Sequence, residues 1–239
     1  MAGHSKWANI KHRKADQNAK RGKIFTRIVK EITIAAREGG GDPSGNPRLR
    51  TLLEKARLVN MPQENYVRAI KKGTGELPGV NYESQSYEGH GPHGIAIIVE
   101  TLTDNKNRTA AEIRHIFSKG GGSLGANGSV SWMFERLGMI KVVKAQHTED
   151  ELLEFLLDYD IREINAGDDL IFVTCEPTST DSVRKALEEH GCKIESAELE
   201  WVPKESICIE DENSAQKAIE FLESLEELDD VQNLYTNLG

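Results

Sequence analysis

The chain has 239 residues, and its 30 Lys or Arg side chains against 39 Asp or Glu give it a net charge of −9. This length exceeds that of a usual single domain, so two or three domains are expected, each with its own core. Three widely spaced cysteines form no C-x-x-C pair, which argues against a zinc site or a disulfide framework. No apolar run has the length of a signal peptide or a membrane span, so we expect a soluble, cytoplasmic protein with no membrane partner.

Charge is divided unevenly along the chain. Residues 1–30 contain nine Lys or Arg and a single acid, Asp16, and residues 1–72 carry a net charge of +11. The remaining residues therefore carry a net charge of −20. A basic segment can neutralise phosphates and release their counterions, whereas an acidic body repels nucleic acid. We therefore expect DNA or RNA as the partner, bound at the basic end of the chain.

Apolar residues recur at helical spacing from Lys20 onward. One face of this predicted helix contains Phe25, Ile28, Val29, Ile32, Ala35 and Ala36, and nearly the opposite face contains Lys20, Lys23, Arg27 and Lys30. The helix is expected to end after Glu38, where three consecutive glycines permit a left-handed cap. The pattern thus predicts a helix with a core side and a cationic side.

Two further helices follow. Asn46 and Pro47 are the residue types of an N-cap and a first helical position, and a short third helix starts after Pro62 and ends at Gly73. Residues 1–73 are therefore predicted to form a basic, three-helix, nucleic-acid-binding domain preceded by an arm.

Residues 73–80 are predicted to form a linker, and beyond it the spacing of apolar residues changes from that of helices to that of β-strands. The elements predicted next are strands at 82–88 and 95–102 joined by a turn at 89–94, a helix at 107–119, a glycine turn and an extended segment at 130–134. A βαββαβ order follows, with strands at 139–143, 161–165, 170–175 and 193–202 and helices at 149–159 and 180–190. A strand at 206–210, a helix at 213–225 and a strand at 231–235 complete the chain. The βαββαβ order is typical of a ferredoxin-like unit.

The last β-α-β segment cannot bury both faces of its strands by itself. We therefore expect residues 204–239 to join residues 80–136 in one discontinuous α+β domain, with residues 137–203 inserted as the ferredoxin-like domain. The predicted fold class is α+β multidomain, with an N-terminal three-helix domain and two α+β domains, the third inserted in the second.

The candidate nucleic-acid contacts are Lys6, Trp7, Lys11, His12, Arg13, Lys14, Lys20, Arg21, Lys23 and Arg27. The cations are expected to bind phosphate regardless of base sequence. Trp7 has two interpretations that remain open, because its indole could stack on an exposed base or anchor the arm to the helical core. No helix-turn-helix pattern supports sequence-specific reading of DNA, and a basic arm with an aromatic suits folded RNA at least as well.

Two other motifs contain groups that can bind a metal or an anion. His90 and His93 have a spacing that a metal can use, but no third ligand is near in sequence, so polar residues in a tight hairpin are the favoured interpretation. The glycines of residues 119–129 favour a turn with positive φ over a phosphate loop, because no G-K-[ST] completes them.

No carboxylate pair, nucleophile elbow or triad pattern is present. We therefore expect a non-enzymatic protein with no catalytic residue, metal site, cofactor or small-molecule substrate. Two hypotheses compete with this one: a metal-dependent nuclease, and an adaptor that binds proteins through its acidic domains. Oligomeric state does not follow from the sequence.

Several motifs are similar to those of one known family. They are MAGHSKWANIKHRK at the N-terminus, KRGKIF at 20–25, GGGDP at 39–43, NPRLR at 46–50 and GGG at 120–122. With them the chain resembles the YebC family over its full length, most specifically in the first fifty residues. The resemblance implies a helical domain and two α+β domains, the third ferredoxin-like and inserted in the second.

The same resemblance implies a cytoplasmic, DNA-binding transcriptional regulator of the YebC/PmpR type. Mitochondrial relatives are translational activators of cytochrome c oxidase subunit I. Bacterial members are also described as ribosome-associated factors, which implies as an alternative a translation factor that binds ribosomal RNA and eases translation of proline-rich stretches.

Overall fold

The structure is a computed structural model that describes residues 17–144 and 147–239, with side chains from residue 22 onward. These residues form the helices α1 Gln17–Gly39, α2 Pro47–Leu58, α3 Gln63–Gly73, α4 Lys106–Lys119, α5 Glu149–Phe155, α6 Thr180–Glu189 and α7 Glu212–Glu226. The strands are β1 Glu83–His90, β2 Ala96–Thr103, β3 Ser123–Leu124, β4 Phe134–Val143, β5 Ile161–Ala166, β6 Leu170–Cys175, β7 Ile194–Pro203 and β8 Val231–Thr236.

Helices α1, α2 and α3 pack around one apolar core. Ile28 and Ile32 of α1 are buried against Leu49 and Leu53 of α2, as the helical spacing predicts. Asn46 caps α2, since its side-chain oxygen accepts a hydrogen bond from the Leu49 backbone N–H at 3.1 Å. The predicted N-cap and first helical residue of α2 are confirmed.

Glycine allows α3 to approach α1 closely. A Cβ atom at Gly73 would lie 2.4 Å from the carbonyl oxygen of Thr33 and 2.8 Å from the Cβ atom of Ala36. This approach fixes which side of α3 faces α1 and which side faces outward.

The second domain is an antiparallel sheet in the order β3-β1-β2-β8. The apolar residues Ile95, Ile97 and Val99 lie with α4 and α7 in one core. Strand β8 comes from the end of the chain and pairs with β2. The chain thus leaves this sheet and returns to it after the third domain.

The third domain is an antiparallel sheet in the order β5-β6-β4-β7. Within the unit this order is 2-3-1-4, the strand order of a ferredoxin-like fold. Helices α5 and α6 contribute Leu152 and Val183 to the core of this sheet. The predicted fold class is confirmed, whereas the domain boundaries at 73, 80, 136 and 203 stay predictions.

Two predicted β-segments differ from the structure. Residues 206–210 form no strand, because Ile207 makes a single parallel bridge to Leu238 and no further ladder follows. Residues 130–134 are not one extended segment: Ser131–Met133 form a 3-10 turn and Phe134 begins β4. Here the backbone turns because the Val130 and Ser131 amides donate to a side chain, not to a neighbouring strand.

The first α-helix of the third domain is also shorter than predicted, since α5 ends at Phe155 and not at residue 159. Within the ranges 17–144 and 147–239, no helix combines the length and the apolar character that crossing a membrane requires.

Candidate nucleic-acid interface

The structure locates only part of the predicted nucleic-acid contacts. Six of them lie outside the described residues: Lys6, Trp7, Lys11, His12, Arg13 and Lys14. Lys20 and Arg21 lie on α1, but the description of side chains begins after them. Lys23 and Arg27 lie one turn apart on the same helix and are described in full. Their binding of phosphate stays a prediction.

The cationic side of α1 faces the second domain over part of its length. Lys30 is only 6% exposed, and its ammonium group lies 2.7 Å from a carboxylate oxygen of Asp230. The cationic side of α1 is therefore not open to solvent at Lys30. Periodicity correctly placed Lys30 opposite the core of its own domain, but a carboxylate two hundred residues later covers that position.

Arg27 and Lys23 lie beside the same junction. The Arg27 guanidinium donates through Nη2 to the carbonyl oxygen of Glu226 at 3.2 Å, and burial lowers its pKa. Burial also lowers the pKa of Lys23, and the charge of Arg27 lowers it further. Both side chains are half-buried, so each is partly accessible to solvent.

Helix α3 carries cations that the candidate set did not include. Arg68, Lys71 and Lys72 are exposed, and none of them forms an ion pair with a carboxylate among the described residues. At 100° per residue they fall within about 100° of one another, on a face whose centre is about 130° from that of the packed residues Ala69 and Gly73. The signal was available in the sequence, as basic residues at positions i, i+3 and i+4 of a predicted helix.

Lysines near a helix C-terminus also stabilise the helix dipole, so part of this pattern serves the helix itself. Arg68 lies a full turn before the end of α3, where that effect is small. The α3 cationic face, Arg68, Lys71 and Lys72, is thus the part of the basic domain that the structure presents without an acidic partner among the described residues.

The glycine-rich segment 119–129 is held by an internal carboxylate. Glu88 is 7% exposed and accepts hydrogen bonds from the backbone N–H groups of Gly128, Val130 and Ser131 at 2.8, 2.9 and 2.9 Å. Burial would raise the pKa of Glu88, but these hydrogen bonds lower it below its usual value. Gly128 has a φ of +88°, as the turn interpretation requires. The anion that these amides bind is therefore a side chain of the protein itself.

The two histidines of the β1–β2 turn do not form a metal cluster. His90 Nδ1 lies 3.4 Å from the Gly94 carbonyl oxygen, and His93 adopts a φ of 58° in the turn. Among the residues that the structure describes, no three His, Cys, Asp or Glu side chains are grouped so as to hold a metal ion.

Comparison with known proteins places this chain among close relatives. It is 52% identical to a probable transcriptional regulatory protein of Chlorobaculum tepidum, over 100% of this chain and 95% of that one. It is 51% identical to a probable transcriptional regulatory protein of Persephonella marina, over 99% and 95% of the two chains. A crystal structure of a conserved hypothetical protein from Aquifex aeolicus matches with a TM-score of 0.84 and 46% identity, covering 92% of this chain and 90% of that one.

Two family models match in tandem. Residues 5–76 match the N-terminal domain of the TACO1/YebC protein, and residues 82–238 match the TACO1/YebC second and third domain. Together they span nearly the whole chain, which therefore belongs to the TACO1/YebC family.

Proposed function

We propose that this protein is a non-enzymatic regulator of gene expression that binds nucleic acid through its helical domain. The observation that carries the proposal is the division of charge, +11 over residues 1–72 and −20 over the rest. Nucleic-acid phosphates attract the first part and are repelled by the second, so a bound strand contacts only one end of the molecule. The α3 cationic face, with no acidic partner among the described residues, supports the same assignment.

The relatives support the regulatory part of the proposal. Two proteins of matching length and half-identical sequence carry the name probable transcriptional regulatory protein. DNA is therefore the first candidate, and ribosomal RNA, which would make the protein a translation factor, is the other outcome of the tests below. Phosphate contacts position a protein on either polymer and carry no sequence information.

Binding of phosphate is tested by its dependence on salt. The variant Arg68→Gln/Lys71→Gln/Lys72→Gln removes the α3 cationic face, and Arg13→Ala/Lys14→Ala removes two cations of the predicted arm. Each lost contact is expected to reduce the slope of log K against log salt by about 0.9 on duplex DNA and about 0.7 on a single strand. Affinity should fall on all sequences alike, in fluorescence anisotropy with labelled DNA and RNA.

The matched control removes three exposed cations from the acidic domains, Lys185→Gln/Lys193→Gln/Lys217→Gln. It changes the net charge by the same amount as the α3 variant, so it separates local contact from overall charge. The control should keep the parent slope. Equal slopes for the parent and both test variants would exclude phosphate binding at these cations.

The same binding reactions test the absence of catalysis. Labelled DNA and RNA incubated with purified protein should remain intact, with or without added divalent metal. Cleavage that co-purifies with the full-length chain, or a stoichiometric bound metal, would favour the nuclease hypothesis instead.

A further inference from the structure

The ammonium group of Lys30 is surrounded by oxygen acceptors of the second domain. Its ammonium lies 3.1 Å from the carbonyl oxygen of Leu102, 2.9 Å from that of Asp229 and 2.7 Å from the Asp230 carboxylate. An ammonium has three N–H donors, and here each has an oxygen acceptor. All three acceptors belong to the second domain, so each of these three hydrogen bonds crosses the boundary between two domains.

The Asp230 carboxylate is held in position by residues of its own domain, independently of Lys30. The second oxygen of Asp230 accepts hydrogen bonds from Thr103 Oγ1 at 3.0 Å, Thr109 Oγ1 at 2.8 Å and Arg108 Nη2 at 2.6 Å. These three side chains come from the end of β2 and the first turn of α4, within the same domain. Asp230 is thus held in place before the helical domain docks, which leaves its first oxygen aimed at the Lys30 position.

The other polar contacts described between the helical domain and the rest of the chain are more exposed than Lys30. The half-buried Arg27 donates to the Glu226 carbonyl oxygen at 3.2 Å. Arg37 donates to the carbonyl oxygen of Val80 at 3.0 Å, and Lys55 pairs with Glu198 of the third domain at 2.5 Å. The two side chains of this second pair are 42% and 43% exposed, and exposed ion pairs contribute little. A buried charge that loses its partner is strongly unfavourable, so Lys30 resists any rotation that withdraws it from Asp230.

We infer that Lys30 and Asp230 are positioning residues that hold the helical domain, and with it the basic end of the chain, in one orientation on the second domain. The ion pair binds no ligand. Its effect on nucleic acid is indirect, because it fixes where the phosphate-binding cations point relative to the acidic domains. This consequence for binding rests on the proposed function, whereas the orientation itself does not.

The orientation can be measured by the distance between two spin labels in the absence of nucleic acid. Native Cys208 is exposed, while Cys175 and Cys192 are buried, so Cys208 provides one site on the second domain. Leu58→Cys provides the other, at a position in the helical domain that is 79% exposed. Double electron–electron resonance should give one narrow distance distribution for this labelled chain and a broad one when Lys30→Gln is added.

Lys185→Gln is the control, because Lys185 belongs to an exposed ion pair within a single helix. It should keep the narrow distribution. If circular dichroism shows that Lys30→Gln does not fold, Lys30→Arg replaces it in the distance measurement. Arginine keeps the charge, but its planar guanidinium cannot direct three donors from one atom, so a broad distribution is expected here too. A folded Lys30 variant with the parent's narrow distribution overturns the inference.

Nucleic-acid binding gives a second readout. A positioning role predicts that Lys30→Gln lowers affinity severalfold while keeping the salt slope, since only the fraction of molecules in the competent orientation changes. A slope reduced by about one would make Lys30 a phosphate contact and overturn the inference. If the parent chain binds no nucleic acid, the proposed function fails, and the distance measurement still tests the orientation.

Discussion

Glu88→Gln is expected to destabilise the glycine-rich segment by about 2–4 kcal/mol. The carboxylate is buried and accepts three backbone hydrogen bonds, from Gly128, Val130 and Ser131. A hydrogen bond to a charged group contributes about 1.5–3 kcal/mol, against about 0.5–1.5 kcal/mol for a neutral one, so losing the charge costs about 1 kcal/mol per bond. The amide also has only one acceptor oxygen, which leaves at least one buried N–H group poorly satisfied.

Hydrogen exchange of those three amides measures the effect locally, which is preferable in a chain with several domains. Exchange at Gly128, Val130 and Ser131 should accelerate by roughly 30- to 1,000-fold, the equivalent of 2–4 kcal/mol. Glu83→Gln is the control, because that carboxylate begins the same strand but is 58% exposed. Protection factors in Glu88→Gln within threefold of the parent would refute the assignment of Glu88 as the anchor of this segment.

The same carboxylate predicts a dependence on pH. The folded state lowers the pKa of Glu88, so its contribution is fully present above the unfolded value of about 4.3. The contribution is lost as pH falls through the lower, folded pKa. Protection of the three amides should therefore decrease with acid in the parent chain and not in Glu88→Gln. A parent whose protection stays constant through that range would contradict the sign of the shift.

Two further substitutions test the helical domain. Gly73→Ala should lower the stability of this domain by about 1–3 kcal/mol, because the new methyl group would overlap the Thr33 carbonyl oxygen. Gly22→Ala is the control, since its methyl group meets no atom within 4 Å and should be neutral or stabilising. Thermal melts that rank the two variants in the opposite order would contradict the packing. Asn46→Ala should lower the free energy of unfolding by about 2–4 kcal/mol, because Asn46 is a buried cap whose amide also donates to two carbonyl oxygens. Asn105→Ala is the control, since it removes an exposed cap worth about 1 kcal/mol. Equal losses of stability in urea titrations would refute the additional role of Asn46.

Local patterns predicted the elements that depend on neighbours along the chain. The spacing of Ile28 and Ile32 predicted the core face of α1, and Asn46 followed by Pro47 predicted the start of α2. Each of these features is decided within one or two helical turns. The order of strands and helices in the third domain was likewise sufficient to predict its ferredoxin-like sheet.

Long-range electrostatics could not be predicted in the same way. A lysine opposite the core of its own helix has the same pattern whether water or another domain covers it, so Lys30 was assigned to the surface although Asp230 buries it. Glu88 follows the alternation of a strand, which gives no indication that its carboxylate holds amides forty residues later. Glu88 meets its amides only when the second domain folds, and Lys30 meets Asp230 only when the helical domain docks on that domain.

Crosslinking in cells by ultraviolet light tests the central claim most directly. The crosslinked protein is digested, the peptides that carry a nucleotide are mapped by mass spectrometry, and the attached DNA and RNA are sequenced. Binding through the basic end predicts crosslinked peptides within residues 1–76, with the sequenced fragments identifying promoter DNA or ribosomal RNA as the target. Crosslinks confined to residues 80–239, or none above background in either polymer, would contradict it.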